Sequence, residues 1–254
     1  MTEIRLPFPE LVERLSAIFV KQGLPGRVAS VLATNCATCQ RDGALSHGVF
    51  RIPAYVSTLQ SGWGSPAALP EIDPGEGALI RVDAHGGFAQ VALEEAMPLL
   101  RERVRTQGVA ALAIRNSQHF SAIWPDVEPF AEEGLMALSV VNSMAVVVPP
   151  GGKTPVFGTN PMAFACPREG QAPYVWDQAS SALAHGDVQI AAREGRAATL
   201  TWKPVVAFKT RHYRYVRGEN GPHLVQVGVG VDDPTGTGLG FAAPAAAGVA
   251  PLSA

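Results

Sequence analysis

The segments that decide the fold class are Leu79-Ile-Arg-Val-Asp83, Val91 to Thr106 and Val109-Ala-Ala-Leu-Ala-Ile-Arg115. The first predicts a β-strand, the second an amphipathic helix, and the third, a nearly continuous apolar run, predicts a buried strand. A similar run, Leu135-Met-Ala-Leu-Ser-Val-Val-Asn142, predicts another buried strand after a short helix that closes at about Glu133. Strands that alternate with helices place this part of the chain in the mixed α/β class.

The first 62 residues predict a helical unit. Leu15, Ile18 and Phe19 recur at helical spacing and predict one apolar face of a first helix. Two further helices are expected at about 27–40 and 49–60. This N-terminal part therefore differs in character from the strands that follow.

Three further segments complete the organisation as far as residue 196. A Gly/Pro-rich linker is expected from Gly62 to Gly77. Additional strands are expected at Met162-Ala-Phe-Ala-Cys166 and Pro173-Tyr-Val-Trp-Asp177.

Composition and charge narrow the function classes. The chain has 254 residues, of which 47% are hydrophobic and 17% charged, and its net charge is −2. This balance gives no reason to expect nucleic acid or an anionic membrane as a partner. No apolar run approaches the roughly 20 residues of a membrane span, and the N-terminus lacks the apolar core of a signal peptide. With only three cysteines, a cytoplasmic protein is expected.

Cys36 and Cys39 form a CxxC pair, which occurs in redox and zinc sites. There is no second CxxC and no histidine at ligand spacing, and the pair lies within a predicted helix. Buried cysteines that act as small hydrophobic residues are the better interpretation, and no metal is expected.

The strongest candidate for chemistry is Gln40-Arg-Asp-Gly-Ala-Leu-Ser-His-Gly-Val-Phe-Arg51. It places a hydroxyl next to an imidazole (Ser46, His47) and a guanidinium four residues later (Arg51). Histidine delivers a proton near neutral pH, and arginine holds a carboxylate with two parallel hydrogen bonds. An enzyme that acts on a small 2-oxo or 2-imino acid needs both groups.

Four other segments offer polar groups in predicted loops. Asn116 to Trp124 follows a predicted strand and precedes a helix, which suits a ligand site or an ordinary loop with capping serines. Gly158-Thr-Asn-Pro161 could bind a ligand or form a plain turn. Asp177-Gln-Ala-Ser-Ser181 could contact a nucleotide or cap a helix. In Ala184-His-Gly-Asp187, the aspartate could orient a histidine. His85, His212 and His223 lack companions for chemistry and are interpreted as solvent-facing or satisfied by neighbours.

Taken in order, these segments resemble the malate/L-lactate dehydrogenase-like family of NAD(P)-dependent oxidoreductases, and most closely its Δ1-piperideine-2-carboxylate/Δ1-pyrroline-2-carboxylate reductases. Two other matching stretches are Tyr55-Val-Ser-Thr-Leu-Gln-Ser-Gly-Trp63 and Trp124-Pro-Asp-Val-Glu-Pro-Phe-Ala-Glu-Glu-Gly134. The resemblance runs from about Ile4 to Arg196. It implies an α/β fold in which an N-terminal helical unit precedes a cofactor-binding domain that is not of the Rossmann type.

The resemblance implies roles for individual residues. Ser46, His47 and Asp187 would form the catalytic set, with His47 as the proton donor. Arg51, Thr159 and His185 would bind the substrate, and Arg51 would hold its carboxylate. The cofactor would contact two groups of residues: His119, Phe120, Ser121, Ala122 and Ile123, and then Asp177, Gln178 and Ala179.

The resemblance also implies a domain plan and a reaction. Residues 1–110 would form a substrate and dimerisation domain, and 111–196 an NADP-binding domain. Residues 197–254 do not resemble the family and are interpreted as an aberrant Gly/Pro-rich tail, for which low activity is expected. The implied reaction is NADPH-dependent reduction of cyclic 2-imino acids by a cytoplasmic homodimer. The alternatives are a malate, lactate or ureidoglycolate dehydrogenase of the same family, or a non-catalytic truncated product.

Overall fold

The computed structural model describes residues 4–65, 67–149 and 151–196, and the backbone of 214–218 and 221–225. The chain divides into two compact units, Met1–Ser121 and Ala122–Ala254, which we call unit 1 and unit 2. The sequence predicts a domain boundary after residue 110, and the contacts place it after Ser121. None of the helices in the described ranges is long and apolar enough to cross a membrane.

Unit 1 begins with helices and continues into a small sheet. Its helices are α1 (Phe8–Lys21), α2 (Gly26–Arg41), α3 (Ile52–Ser61) and α4 (Ala89–Gln107), two 3₁₀ turns lie at Leu45–His47 and Val49–Arg51, and its strands are β1 (Glu71–Asp73), β2 (Leu79–Asp83) and β3 (Ala111–Arg115).

The predicted strand–helix–strand segment forms a parallel pair. β2 pairs in parallel with β3 from Leu79 opposite Ala111 to Asp83 opposite Arg115, and α4 connects them. A parallel pair needs such a crossover because its strands run in one direction. Ile80 and Val82 are buried together with small residues of α4. The mixed α/β class is therefore confirmed.

The core of the helical region surrounds Tyr55 on α3, which is fully buried. The ring lies edge-on to Phe19 at 5.4 Å and to Phe120 at 5.0 Å, distances that suit aromatic pairs. Its hydroxyl accepts a hydrogen bond of 3.4 Å from Gln90 Nε2. Burial raises the pKa of Tyr55 well above its ordinary value, so the phenol stays protonated.

Unit 2 contains a second, antiparallel sheet. Its described elements are α5 (Trp124–Glu132), β4 (Ala137–Val140), β5 (Met162–Arg168), β6 (Gln171–Gln178), α6 (His185–Arg193), β7 (Arg214–Gly218) and β8 (Gly221–Val225). The strand order in the sheet is β4-β5-β6, and β7 pairs only with β8 among the described strands. Ala163 and Ala165 of β5 are fully buried, and Val175 of β6, which lies opposite Ala165, is buried on the same face of the sheet.

Two strand predictions are wrong in burial. The segments at 109–115 and 135–142 were expected to be buried, but β3 and β4 alternate between half-buried and exposed residues. Leu138 and Val140 are 63% and 65% exposed. Leu138 and Val140 lie opposite Phe164 and Met162 of β5, and Met162 is exposed too, so the exposure belongs to one face of the sheet, which the apolar run did not reveal.

Two smaller expectations also need correction. The segment from Gly62 to Gly77 contains β1, which pairs antiparallel with β2, and is therefore more than a linker. Ile18 was assigned to the buried face of α1, yet it is 38% exposed while Leu15 and Phe19 are buried. The rest of the predicted tail, outside β7 and β8, lies outside the described residues.

Candidate active site

Ser46 and His47 lie together in the first 3₁₀ turn of unit 1. The Ser46 Oγ is 3.1 Å from His47 Nδ1, and Ser46 is buried whereas His47 is half-buried. When the hydroxyl donates to Nδ1, a neutral imidazole carries its proton on Nε2. In the imidazolium state Nδ1–H instead donates to Ser46 Oγ, and Nε2 carries the proton that can be transferred.

The turn is fixed by the end of α2. Gln40 Oε1 accepts a hydrogen bond of 3.1 Å from the backbone N–H of Val49. A Cβ atom on Gly48 would lie 2.5 Å from Gln40 Oε1 and 2.9 Å from Gln40 Cα. Gly48 is therefore required by the close approach of two backbones, which explains why Gln40 and Gly48 belong to the same sequence motif.

Arg51 ends the second 3₁₀ turn and directly precedes α3. Its side chain is half-buried. Pro53 lies in the first turn of α3, where its missing N–H is harmless. The short segment from Ser46 to Arg51 thus carries the imidazole and the guanidinium in unit 1.

Part of the predicted cofactor segment contacts the same turn. Ser121 Oγ donates to the backbone carbonyl of His47 at 3.4 Å, and Cys39 Sγ lies 3.1 Å from Ser121 Oγ. The backbone N–H of Ser121 donates to His119 Nδ1 at 3.3 Å. Phe120 packs against the core ring of Tyr55. In unit 1 the structure therefore places Ser121 against the turn of His47, with His119 bonded to Ser121 and Phe120 packed on Tyr55 of α3.

Cys39 has a contact that the sequence did not reveal. Both cysteines of the CxxC pair are fully buried on α2, which confirms their helical, buried placement. Burial raises the pKa of the Cys36 thiol, which disfavours the thiolate needed for redox or metal chemistry. Cys39, however, is a weak hydrogen-bonding partner of Ser121, and only the folded chain brings these residues together.

Asp177 caps a helix in unit 2. Its Oδ2 accepts hydrogen bonds from the backbone N–H groups of Ile123 (2.8 Å) and Trp124 (3.0 Å), at the start of α5. A carboxylate is favourable there because these N–H groups lack partners within the helix. The capping alternative is thus observed. Ala122 and Ile123 are buried next to this cap, and Gln178 and Ala179 follow it at the end of β6, half-buried.

Thr159 lies in a turn that neighbouring serines hold on both sides. The carbonyl of Thr159 accepts a hydrogen bond of 2.8 Å from the N–H of Ser180, and Ser180 Oγ donates to the carbonyl of Asn160 at 2.9 Å. Ser143 Oγ is 3.3 Å from Thr159 Oγ1. Asn160 has φ +39°, a left-handed conformation that asparagine tolerates better than most residues. Sequence reasoning missed Ser143, because only the fold brings it to this turn.

His185 and Asp187 lie in the first turn of α6, and both are half-buried. The preceding loop is ordered by Ser181, whose buried hydroxyl donates to the carbonyl of Leu183 at 2.6 Å. Unit 2 thus presents His185 and Asp187 at one helix start and Thr159 in a separate, braced turn.

His85 is half-exposed and has neighbouring carboxylates, one of the two settings expected for it. Its Nε2 lies 3.2 Å from Glu71 Oε2, and its Nδ1 3.5 Å from Asp83 Oδ1. The side chains of His212 and His223 lie outside the described residues. Within 4–65, 67–149 and 151–196 there is no cluster of three or more His, Cys, Asp or Glu residues that could hold a metal ion.

Comparisons with known proteins identify the family of this chain. The sequence profile of the malate/L-lactate dehydrogenase family matches residues 6–203. A Δ1-pyrroline-2-carboxylate/Δ1-piperideine-2-carboxylate reductase of Pseudomonas putida is 60% identical over 195 residues, which make up 77% of this chain and 57% of the relative. This chain therefore spans a little over half the length of that relative.

Solved structures give the same result. The crystal structure of Δ1-piperideine-2-carboxylate reductase from Pseudomonas syringae pv. tomato is 58% identical and has a TM-score of 0.74, with 76% of this chain and 58% of that chain covered. Malate dehydrogenase from Pyrococcus horikoshii is 29% identical with a TM-score of 0.68, over 73% of this chain and 53% of that chain. The expected resemblance is confirmed, and the chain belongs to the malate/L-lactate dehydrogenase family.

Proposed function

We propose that residues 4–196 build the site of an NADPH-dependent reductase that converts cyclic 2-imino acids to the saturated amino acids. The observation that carries the proposal is the Ser46–His47 turn, in which the hydroxyl lies 3.1 Å from Nδ1. The relatives at 59% and 60% identity, which are named Δ1-pyrroline-2-carboxylate/Δ1-piperideine-2-carboxylate reductases, support this substrate class.

The chain's own residues would perform the acid–base and binding steps. His47, as an imidazolium, gives its Nε2 proton to the nitrogen of the substrate as the C=N bond becomes a C–N bond and is left as the neutral imidazole, while Ser46 orients the ring through Nδ1. Arg51 holds the substrate carboxylate through a bidentate ion pair. By the family resemblance, we assign Thr159 and His185 to substrate binding and Asp187 to the catalytic set, as a carboxylate that favours the imidazolium.

The cofactor would supply a hydride to the imine carbon when bound. The residues near the His47 turn fit a nicotinamide cofactor, whereas the start of α5 offers no free N–H groups for its phosphates. Ser121 contacts the turn of His47, where hydride transfer would be needed, and His119 is bonded to Ser121. The N–H groups of Ile123 and Trp124 already bind the Asp177 carboxylate, so we place no phosphate at the start of α5.

The substrate class is tested by following NADPH oxidation at 340 nm with Δ1-piperideine-2-carboxylate and Δ1-pyrroline-2-carboxylate. The same preparation is offered malate or lactate with NAD⁺, because the similarity to a malate dehydrogenase favours that alternative. The imino acids are expected to be turned over faster than malate or lactate. NADPH is expected to be oxidised faster than NADH. Turnover of hydroxy acids alone would overturn the proposal.

The test is run on this chain and on a chimaera. The chimaera joins residues 1–196 to the corresponding C-terminal part of the Pseudomonas putida relative. Activity in the chimaera alone would assign the site to the reductase class and leave this chain as the non-catalytic alternative.

We further propose a cytoplasmic homodimer. Light scattering on the chimaera should give twice the chain mass, and a monomer would contradict this.

A further inference from the structure

We infer that Ser143 is a positioning residue that sets the direction in which the Thr159 hydroxyl offers its proton, and so makes this hydroxyl a donor toward an anionic ligand. The ligand in this inference is the substrate carboxylate of the proposed function, on which this part of it rests. The position of Ser143 itself is a property of unit 2 alone.

Ser143 joins two segments that are distant in sequence. It lies just after β4, and it contacts the turn that precedes β5. Its backbone N–H donates to Asn160 Oδ1 at 3.0 Å, and its Oγ accepts from the backbone N–H of Asn160 at 3.1 Å. A Cβ on Gly158 would lie 2.3 Å from both the carbonyl oxygen and Oγ of Ser143, so the two segments are in direct contact.

The hydroxyl of Ser143 has more neighbours than it has protons. It can donate one hydrogen bond and accept two. One lone pair is used by the N–H of Asn160, while Asn160 Oδ1 and Thr159 Oγ1 both lie at 3.3 Å. Asn160 Oδ1 already accepts from the N–H of Ser143, so it does not depend on this proton.

Two proton arrangements follow. If Ser143 donates to Asn160, the Thr159 hydroxyl donates to Ser143 and shows only lone pairs to a ligand. If Ser143 donates to Thr159, the proton of Thr159 is released to donate to a ligand. A carboxylate is an acceptor in both protonation states of the imine, so its binding selects the second arrangement.

The kinetic test compares Ser143→Ala and Ser143→Thr with the matched control Ser139→Ala, which removes a serine hydroxyl from the nearby strand β4. We expect Ser143→Ala to raise KM for the imino acid about five- to tenfold, the effect of one lost neutral hydrogen bond. The kcat and the Kd of NADPH should change less than about twofold, because the lost bond acts on substrate binding alone, and Ser143→Thr should restore KM. In a Thr159→Val background, Ser143→Ala should have no further effect.

A spectroscopic test needs no turnover and therefore separates this inference from the proposed function. Three-bond couplings of the Thr159 methyl group report its χ1 rotamer, and the methyl signal is assigned by its loss in Thr159→Ser. One rotamer is expected in the wild type and averaging among rotamers in Ser143→Ala. If the couplings are the same in both proteins, or if KM rises equally in the Thr159→Val background, the inference is wrong. If these coupling changes occur but neither this chain nor the chimaera turns over imino acids, the proposed function and the ligand assignment are overturned, while the positioning of Thr159 by Ser143 stands.

Discussion

His47 is the residue on which the proposed chemistry depends most. His47→Asn should lower kcat about 10²–10⁴-fold, because a positioned acid contributes this much to proton transfer. The Kd of NADPH should remain nearly unchanged, because the substitution removes the proton donor and leaves the fold of the turn. Steady-state kinetics and fluorescence titration with NADPH in the active chimaera measure both quantities.

The matched control is His85→Asn, which replaces a half-exposed histidine of the same unit. It should leave kcat unchanged. A cycle with Asp187→Asn tests the proposed support of His47, since the two substitutions should be less than additive. Near-normal turnover of His47→Asn would show that this histidine has a structural role.

Arg51 should act on binding more than on chemistry. Arg51→Met keeps much of the side-chain volume and removes the bidentate donor, so binding of the imino acid should weaken by about 2–5 kcal/mol if the pair is desolvated. Arg51→Lys should recover only part of this, because an ammonium cannot form the parallel pair of hydrogen bonds. Unchanged KM and kcat in Arg51→Met would exclude the carboxylate clamp.

At the level of elements, the close contact between α2 and the His47 turn leaves no room for a side chain at Gly48. Gly48→Ala places a methyl group 2.9 Å from a backbone atom of Gln40, so the turn must shift. We expect a loss of about 1–3 kcal/mol in the free energy of unfolding, as for other overpacked sites, together with reduced turnover. Urea unfolding measures the first effect.

Gly26→Ala is the matched control for this prediction. Gly26 begins α2, and a Cβ there meets nothing within 4 Å. The control should leave stability unchanged or raise it slightly, since alanine favours a helix. Equal stability of the two variants would contradict the close approach at Gly48.

The ends of β2 and β3 are connected by Asp83, which makes their stability pH-dependent. Its carboxylate accepts hydrogen bonds from the N–H of His85 (2.9 Å) and from Asn116 Nδ2 (3.0 Å). These bonds, with the backbone bond to His85 the largest cause, hold the pKa of Asp83 below its ordinary value. A lowered pKa in the folded state stabilises the fold above the unfolded pKa of about 4, and this contribution is lost as the pH falls through the folded value.

Asp83→Asn should therefore lower the Tm at pH 7, and its difference from wild type should shrink as the pH falls below about 4. Thermal unfolding across this range checks the prediction. Glu76→Gln, which changes an exposed carboxylate before β2, is the control and should show no such trend. A constant difference at all pH values would point to a cause other than ionisation.

The sequence predicted the positions of helices and strands better than their burial and their long-range contacts. The helices of unit 1 and the strand–helix–strand segment followed from periodicity, because their side-chain spacing is local. The exposure of Leu138 and Val140 did not follow, since an apolar run carries no information about which face of a sheet is covered. The contacts of Cys39 with Ser121 and of Ser143 with Asn160 join residues 82 and 17 positions apart, and spacing alone cannot predict them.

At the level of the whole molecule, the chain spans 57% of the Pseudomonas putida relative. We expect this chain to show lower turnover, lower solubility and a lower Tm than the chimaera. The reason is that Leu138 and Val140 of β4 are largely exposed, and exposed apolar surface of this kind favours aggregation. Side-by-side expression, thermal unfolding and NADPH oxidation measure the difference. Equal turnover would show that residues 197–254 serve as a working variant of the family's C-terminal part.

The cap of α5 has a consequence for the order of events during synthesis. Asp177 accepts hydrogen bonds from residues 54 and 53 positions earlier in the chain. At about 5–20 residues per second, the ribosome makes this carboxylate about 3–11 seconds after the N–H groups that it satisfies. Until β6, the last strand of the β4-β5-β6 sheet, has been made, the N–H groups at the start of α5 can therefore bind only water in place of this carboxylate.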